Sequence, residues 1–286
     1  MQQLTGLAPE YIDALFFRGG TGTVEMVNSR GIYLQLEGKH ILLCHSRYGT
    51  VPNGVALNEW ELLPSVLVAG QPVRVEKRVL YTPSGTWQLR LRKIPRDTQI
   101  LLPTQTQLRT GIEILLAEAK QTGLSRLVYP LFTGESGSLN IYCETALPHI
   151  KDLLQAMQEE NTAQIRQAIS NLLGLGPGLT PSADDLLSGL LYGLRHSPAR
   201  DTAVCNALCA AIGELAGNRT NAVSADYLYA LAEDSPFDCM AAAWRDPAAG
   251  AAGLIQIGNN SGTEMFLGLL CAAALQLSVF AKKQGK

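Results

Sequence analysis

An α+β fold is what the hydrophobic pattern predicts: a small antiparallel β-barrel or curled sheet at the N-terminal end, followed by a mainly α-helical domain. Three observations carry that expectation. Between Gly22 and Leu101 apolar residues alternate with polar ones, and turn residues recur at short intervals. After Pro103 the period lengthens to that of a helix, and nowhere do strands and helices alternate as a parallel Rossmann sheet would require. The boundary is expected near 102–106, giving a β-rich domain at 1–103 and a helical domain at 104–286.

The strand segments are GTVEMV, GIYLQLEGKHILLCH and QPVRVEKRVLYTPSGTWQLRLRKI, joined at Gly38-Lys39 and at Pro83-Ser84-Gly85. In the last of them Trp87, Leu89 and Leu91 alternate with Gln88, Arg90 and Arg92, which gives one buried and one wet face. Closing such short strands into a barrel protects their edges. In the second half, Leu108, Ile112, Leu115, Leu116 and Ala119 recur at helical spacing, with Gly123 as a stop. Further helices are predicted at 145–158, 162–173, 182–196, 200–216, 224–233, 237–244 and 261–282. Ala248 to Gly253 reads as small and flexible, and no internal repeat stands out. The apolar run from Met265 to Phe280 is somewhat short for a bilayer, which takes about 20 residues, and carries Glu264 at its start and Gln276 inside, so it is expected as a buried helix.

Composition narrows the function classes. A chain of 286 residues with 47% hydrophobic content can fill real cores without cross-links. A net charge of -2, with only short basic patches such as Arg90, Arg92 and Lys93, argues against nucleic acid as a partner. Cys44, Cys143, Cys205, Cys209, Cys239 and Cys271 show neither CxxC pairs nor zinc-ligand spacing, so reduced thiols and no structural metal are expected. The N-terminal residues lack the features of a secretory signal, which points to a cytoplasmic protein without a membrane partner. His40, His45, His149 and His196 bear no regular relation to a nucleophile.

The densest chemical signal runs from Asn171 to Gly189, NLLGLGPGLTPSADDLLSG. Gly174 can end one helix, and Gly176-Pro177-Gly178 can bring bare N–H groups close to a ligand because no Cβ obstructs the approach. Thr180 or Ser182 would cap the next helix, whose free N–H groups and positive dipole end favour phosphate or carboxylate. Asp184 and Asp185 would lie in its first turn. A purely structural reading uses the same residues as stop, turn, cap and dipole partner. Three glycines, two prolines and two hydroxyls within nine residues exceed what a helix–helix turn needs, and tip the balance to function. No Lys follows the glycines, so this is not a Walker loop.

Two further polar turns have related chemistry. In Gly217 to Leu228, GNRTNAVSADYL, Arg219 can clamp an oxyanion bidentately, while Ser224 can serve as a helix cap. In Ile257 to Gly268, IGNNSGTEMFLG, Ser261 and Glu264 have capping-box spacing, so Glu264 is read as structural. Thr133 to Ser138 reads as an exposed turn.

GLGPGLTPSADD resembles the GxGPGLTPSGDD signature of the AllH-type family, bacterial proteins associated with oxamate carbamoyltransferase in anaerobic allantoin degradation and purine catabolism. RTNAVSADYL, GNNSGTEMFLG and, more loosely, Tyr48 to Gly54 resemble other parts of that family. Ala183 departs from the family's Gly, and Thr263-Glu264 stands where an Asp-containing variant is expected. The resemblance implies one subunit of a multi-component transferase that moves a carbamoyl group between carbamoyl phosphate and oxamate, forming or consuming oxalurate. It implies Gly176, Gly178, Thr180 and Ser182 as phosphate or carboxylate binders, with Thr220, Asn260, Ser261 and Gly262 completing the substrate contacts. Asp184, Asp185 and Arg219 become the catalytic candidates, with Arg219 neutralising charge and an Asp positioning substrate, a cation or a partner loop. No cofactor is expected; a divalent cation such as Mg is compatible with the acids but is not predicted. The alternative is a non-catalytic assembly subunit whose glycine turns specify helix packing.

Overall fold

The computed structural model describes residues 2–28, 30–135 and 137–279. They form two compact units: 2–97 together with 233–238, and 98–232 together with 239–279.

The first unit is a closed eight-stranded barrel. Its strands are β1 (Gln2–Pro9), β2 (Gly20–Val27), β3 (Gly31–Leu36), β4 (Lys39–His45), β5 (Gly54–Leu57), β6 (Pro72–Glu76), β7 (Val79–Thr82) and β8 (Gly85–Ile94). The circular order is β1-β5-β4-β3-β2-β6-β7-β8. Helix α1 (Glu10–Arg18) follows β1.

The barrel is mixed, which corrects the antiparallel expectation: β1 runs parallel to β8, and β4 parallel to β5. The connections explain both pairs. Between β4 and β5 the chain takes an eight-residue crossing that includes a 3-10 turn at Ser46–Tyr48, too long for a tight hairpin, and re-enters in the same direction with Leu42 opposite Gly54. β1 closes the barrel against the last strand, Gln2 opposite Trp87 through to Pro9 opposite Ile94. The predicted hairpins do form, at Glu37-Gly38 between β3 and β4 and at Pro83-Ser84 between β7 and β8. Leu4, Val24, Leu34, Leu43, Val55 and Leu80 fill the barrel's interior and are fully buried. Burying each such side chain is worth about 1.5–3 kcal/mol. Asp13 of α1 is buried as well, and its carboxylate takes two hydrogen bonds from Arg78, at 2.5 and 2.7 Å.

The second unit holds α2 (Gln105–Glu118), α3 (Ile141–Gln158), α4 (Thr162–Leu172), α5 (Ser182–Arg195), α6 (Ala203–Arg219), α7 (Ala222–Ala232), α8 (Asp238–Arg245), α9 (Pro247–Ile255) and α10 (Ser261–Gln276). Helix α3 starts before its sequence-based boundary at 145 because a side chain caps an earlier residue. Asn140 Oδ1 accepts from Cys143 N, so α3 begins at Ile141. The 248–253 stretch, expected to be flexible, is helix α9. Asp246 caps it and Pro247 takes its first position, where a missing N–H costs nothing.

Helices α5 and α10 form the centre of this unit. Every residue of α5 from Ser182 to Leu194 is buried, and every residue of α10 from Gly262 to Ala274. No helix among the described residues is long and apolar enough to cross a membrane, and Phe280 lies outside those residues.

Candidate functional site: three polar turns over a buried acid cluster

The three polar turns, far apart in sequence, meet at the N-terminal ends of α5 and α10. Their meeting point is a set of carboxylates. Asp184, Asp185 and Glu264 are each 1% exposed, and the hydrogen bonds they accept among the described residues come from hydroxyls and backbone N–H groups.

Asp184 binds the first turn to the second. Its Oδ1 accepts from Gly174 N at 2.8 Å, and its Oδ2 accepts from Ser224 Oγ at 2.6 Å and from the hydroxyl of Thr220. Burial pushes the carboxyl above its usual range, and these three donors pull it back. Asn221 adds a second tie, donating from Nδ2 to Leu179 O at 2.7 Å.

Asp185 binds the first turn to the third. Its Oδ2 accepts from Thr180 Oγ1 at 3.0 Å, and Thr180 Oγ1 lies 3.2 Å from Ser261 Oγ. Burial, with the Glu264 charge second, holds the Asp185 carboxyl well above the carboxylate range, while Ser261 and Thr180 oppose the shift. Glu264 reaches inward and accepts the Leu124 N–H at 2.8 Å. Burial raises it too, against Leu124, Ser182 and the Lys120 charge.

Several sequence-based assignments change here. Neither Thr180 nor Ser182 caps α5: Pro181 occupies the cap, Ser182 is the first helical residue, and its hydroxyl is buried. Ser224 does not cap α7; Asn221 Oδ1 takes the Ser224 N–H at 3.0 Å, freeing the Ser224 hydroxyl for Asp184. Ser261 and Glu264 form no capping box, because the Glu264 carboxylate is drawn to the unpaired N–H of Leu124. Glu264 is the site residue that sequence reasoning set aside. The signal was present, since an acid beginning a helix as apolar as α10 must face the interior as easily as the cap.

The first turn has the backbone that the glycines suggested. Gly174, Gly176 and Gly178 have φ of +82°, +109° and +110°, a region in which residues with a Cβ are strained. Part of the helix N-terminus is consumed internally, with Ala183 N donating to Leu175 O at 2.9 Å. The N–H groups of Gly178, Leu179 and Thr180 make no hydrogen bond to any described residue. Pro177 and Gly178 are exposed above the buried acids. Arg219 ends α6 with an exposed side chain that has no hydrogen bond or ion pair among the described residues, and its backbone carbonyl packs on Gly174. Asn260 precedes α10, and its Oδ1 accepts from Thr122 Oγ1 at 3.0 Å. Gly262 is buried against the Leu254 carbonyl at the end of α9, which places it in the packing beneath the turn.

Among the described residues no group of three or more His, Cys, Asp or Glu side chains has an arrangement that could hold a metal ion. All six cysteines are free thiols. His196 is stacked on Tyr192 with ring centroids 3.9 Å apart, and His149 Nδ1 lies 3.4 Å from Asn171 Nδ2.

The helix crossing under the acids is close. A Cβ on Gly189 of α5 would run into the Met265 carbonyl of α10, and one on Gly268 of α10 would run into the Leu186 carbonyl of α5. The two glycines therefore set how near the acid-bearing helix ends approach.

No curated protein and no solved structure matches the chain at a significant level. Residues 172–273 are similar to the family described as oxamate carbamoyltransferase subunit AllH, a match that takes in the glycines of the first polar turn and the whole of the other two.

Proposed function

We propose that the chain is the anion-binding subunit of an oxamate carbamoyltransferase-like enzyme, working with other subunits of the complex. The observation that carries this reading is the turn from Gly176 to Ser182, whose Gly178, Leu179 and Thr180 N–H groups are left without acceptors beside a helix N-terminus. Carbamoyl transfer involves phosphate and a carboxylate, and fixed donors aimed at such oxygens stabilise both the leaving phosphate and the developing oxyanion. Arg219, exposed and unpaired, supplies the counter-charge. Thr220, Asn260, Ser261 and Gly262 complete the site as supports. Asp184 acts as a positioning residue, since both its oxygens are engaged in holding the turn.

That engagement also favours the second reading, a non-catalytic assembly subunit in which the turns shape a docking face for partner chains. Calorimetry on the isolated chain and on the assembled complex, with phosphate, carbamoyl phosphate and oxamate, separates the two. Binding by the isolated chain that Gly178→Val weakens tenfold or more, in a folded variant, supports the anion site. Unchanged affinity and complex activity in that variant would refute it.

A further inference from the structure

Helices α5 and α10 carry the same short pattern, a serine, an acid three residues on and a glycine four beyond that: Ser182, Asp185, Gly189 and Ser261, Glu264, Gly268. Their contacts are reciprocal. Gly189 approaches the carbonyl of Met265, the residue after Glu264, and the amide of Leu269. Gly268 approaches the carbonyl of Leu186, the residue after Asp185, and the amide of Leu190. The serines are exchanged across the crossing: Ser261 stabilises the Asp185 carboxylate, and Ser182 faces the Glu264 carboxyl. The crossing therefore holds two acids, one from each helix end, each 1% exposed.

We propose that Asp185 and Glu264 act as one dyad that holds a single proton between them, with Thr180 Oγ1 as its connection to the turn above. Two ionised carboxylates buried together repel strongly, and one proton removes that repulsion. The Ser182 hydroxyl supplies an independent sign. It is 1% exposed and finds no hydrogen bond of good geometry, although it faces Glu264. The chargeable neighbours are Asp184 on α5, which adds negative charge, Cys143 on α3, and Lys120 after α2, whose ammonium goes to the Asn259 carbonyl. None supplies a hydrogen-bonded cation to Asp185.

The dyad's role rests on the carbamoyl-transfer reading. The acceptor's amide nitrogen attacks the carbamoyl carbon, forming a C–N bond, and the C–O bond to phosphate breaks with its electron pair leaving on phosphate. The surplus proton on nitrogen passes to Thr180 Oγ1 as that hydroxyl passes its own to Asp185, filling the dyad's second position. In the reverse direction the dyad returns it.

Infrared spectroscopy of the wild-type chain at neutral pH tests the proton directly. One carboxylic-acid C=O band per chain is expected, lost in Glu264→Gln and in Asp185→Asn. Absence of the band in the folded wild type overturns the dyad whatever the enzyme does, and needs no variant to fold. In the assembled complex Thr180→Val should keep the band and lower turnover tenfold or more, with solvent-isotope sensitivity altered. A retained band with unchanged turnover would leave the shared proton standing, and would remove both its connection through Thr180 and its part in transfer.

Discussion

Adding one methyl group should stabilise or destabilise the helical unit according to what stands beside the chosen glycine. At Gly213 of α6 a Cβ meets nothing within 4 Å, so Gly213→Ala gains only helix propensity and reduced unfolded-chain freedom, about 0.4–1 kcal/mol. At Gly189 the same Cβ would overlap the Met265 carbonyl oxygen and lie 2.8 Å from its carbon and 3.0 Å from Leu269 N. These are backbone atoms of a buried helix and cannot swing aside. Overpacking of this kind costs about 1–3 kcal/mol, and at backbone contacts this short the upper part of that range applies, leaving Gly189→Ala about 1–2 kcal/mol less stable after the propensity gain is subtracted. With ~2–4 °C per kcal/mol for a unit of this size, the two variants should melt on opposite sides of wild type, Gly189→Ala lower by roughly 2–8 °C. Thermal unfolding followed by the helical circular-dichroism signal measures both. A Gly189→Ala protein as stable as Gly213→Ala would refute the close crossing, and with it the placement of the acid-bearing helix ends.

Asp13→Asn in the barrel should cost about 1.5–3 kcal/mol in denaturant unfolding, since it removes a buried charge-assisted pair with Arg78 and the nearby Lys93 charge. The pH dependence has opposite signs in the two units. Asp184, Asp185 and Glu264 are raised, so their contribution is complete below the ordinary values of 3.8 and 4.5 and is lost as pH rises through their folded values; Asp13 is lowered by Arg78, so its contribution is present above 3.8 and is lost as pH falls through its depressed value. Hydrogen exchange resolved by segment should therefore show the α5–α10 crossing gaining protection, and the α1 region losing it, as pH falls from neutral towards strongly acidic. Glu264→Gln should flatten the first trend. A thiol reagent should reach the half-exposed Cys209 and Cys239 first, because burial pushes Cys143 up to about 11 and Cys271 up to about 12; modification of either buried thiol before unfolding would contradict that order.

Much of this architecture was legible from pattern alone. The alternation of Trp87 and Leu89 with polar neighbours marked β8, and the helical period marked α2. Strand direction was not legible, because the residues that make β1 parallel to β8 are separated by the whole barrel, and no local turn encodes their pairing. Helix α9 was missed because its Ala and Gly residues carry little apolar periodicity; its tertiary packing, with Gly250 against the Ala242 backbone, supplies what periodicity does not. At the site, the first turn could be read because Gly and Pro punctuate it. Glu264 could not be assigned correctly, since the same Ser-x-x-Glu spacing fits a cap or an inward carboxylate, and only the partner helix decides between them. The matched pattern in α5 and α10 was not legible either, because three residues among eight, with different apolar fillers between them, resemble chance without the reciprocal contacts.

The barrel's return segment has a consequence for how the chain acquires its structure during synthesis. Residues 233–238 belong to the barrel unit: Ser235 Oγ lies 3.1 Å from Tyr11 Oη, Asp97 N donates to Asp234 O, and Asp238 Oδ2 accepts from Thr50 N at 2.8 Å. All eight strands have left the ribosome long before that segment is made. At the usual elongation rate of about 5–20 residues per second, the interval between Ile94 and Asp238 is roughly 7–30 seconds. For that time the Thr50 N–H awaits the Asp238 carboxylate and the Asp97 N–H awaits the Asp234 carbonyl. A nascent barrel in this state is complete in its hydrogen-bonded ladder but open on one patch of polar backbone, the place where a folding factor or a protease would find the growing chain.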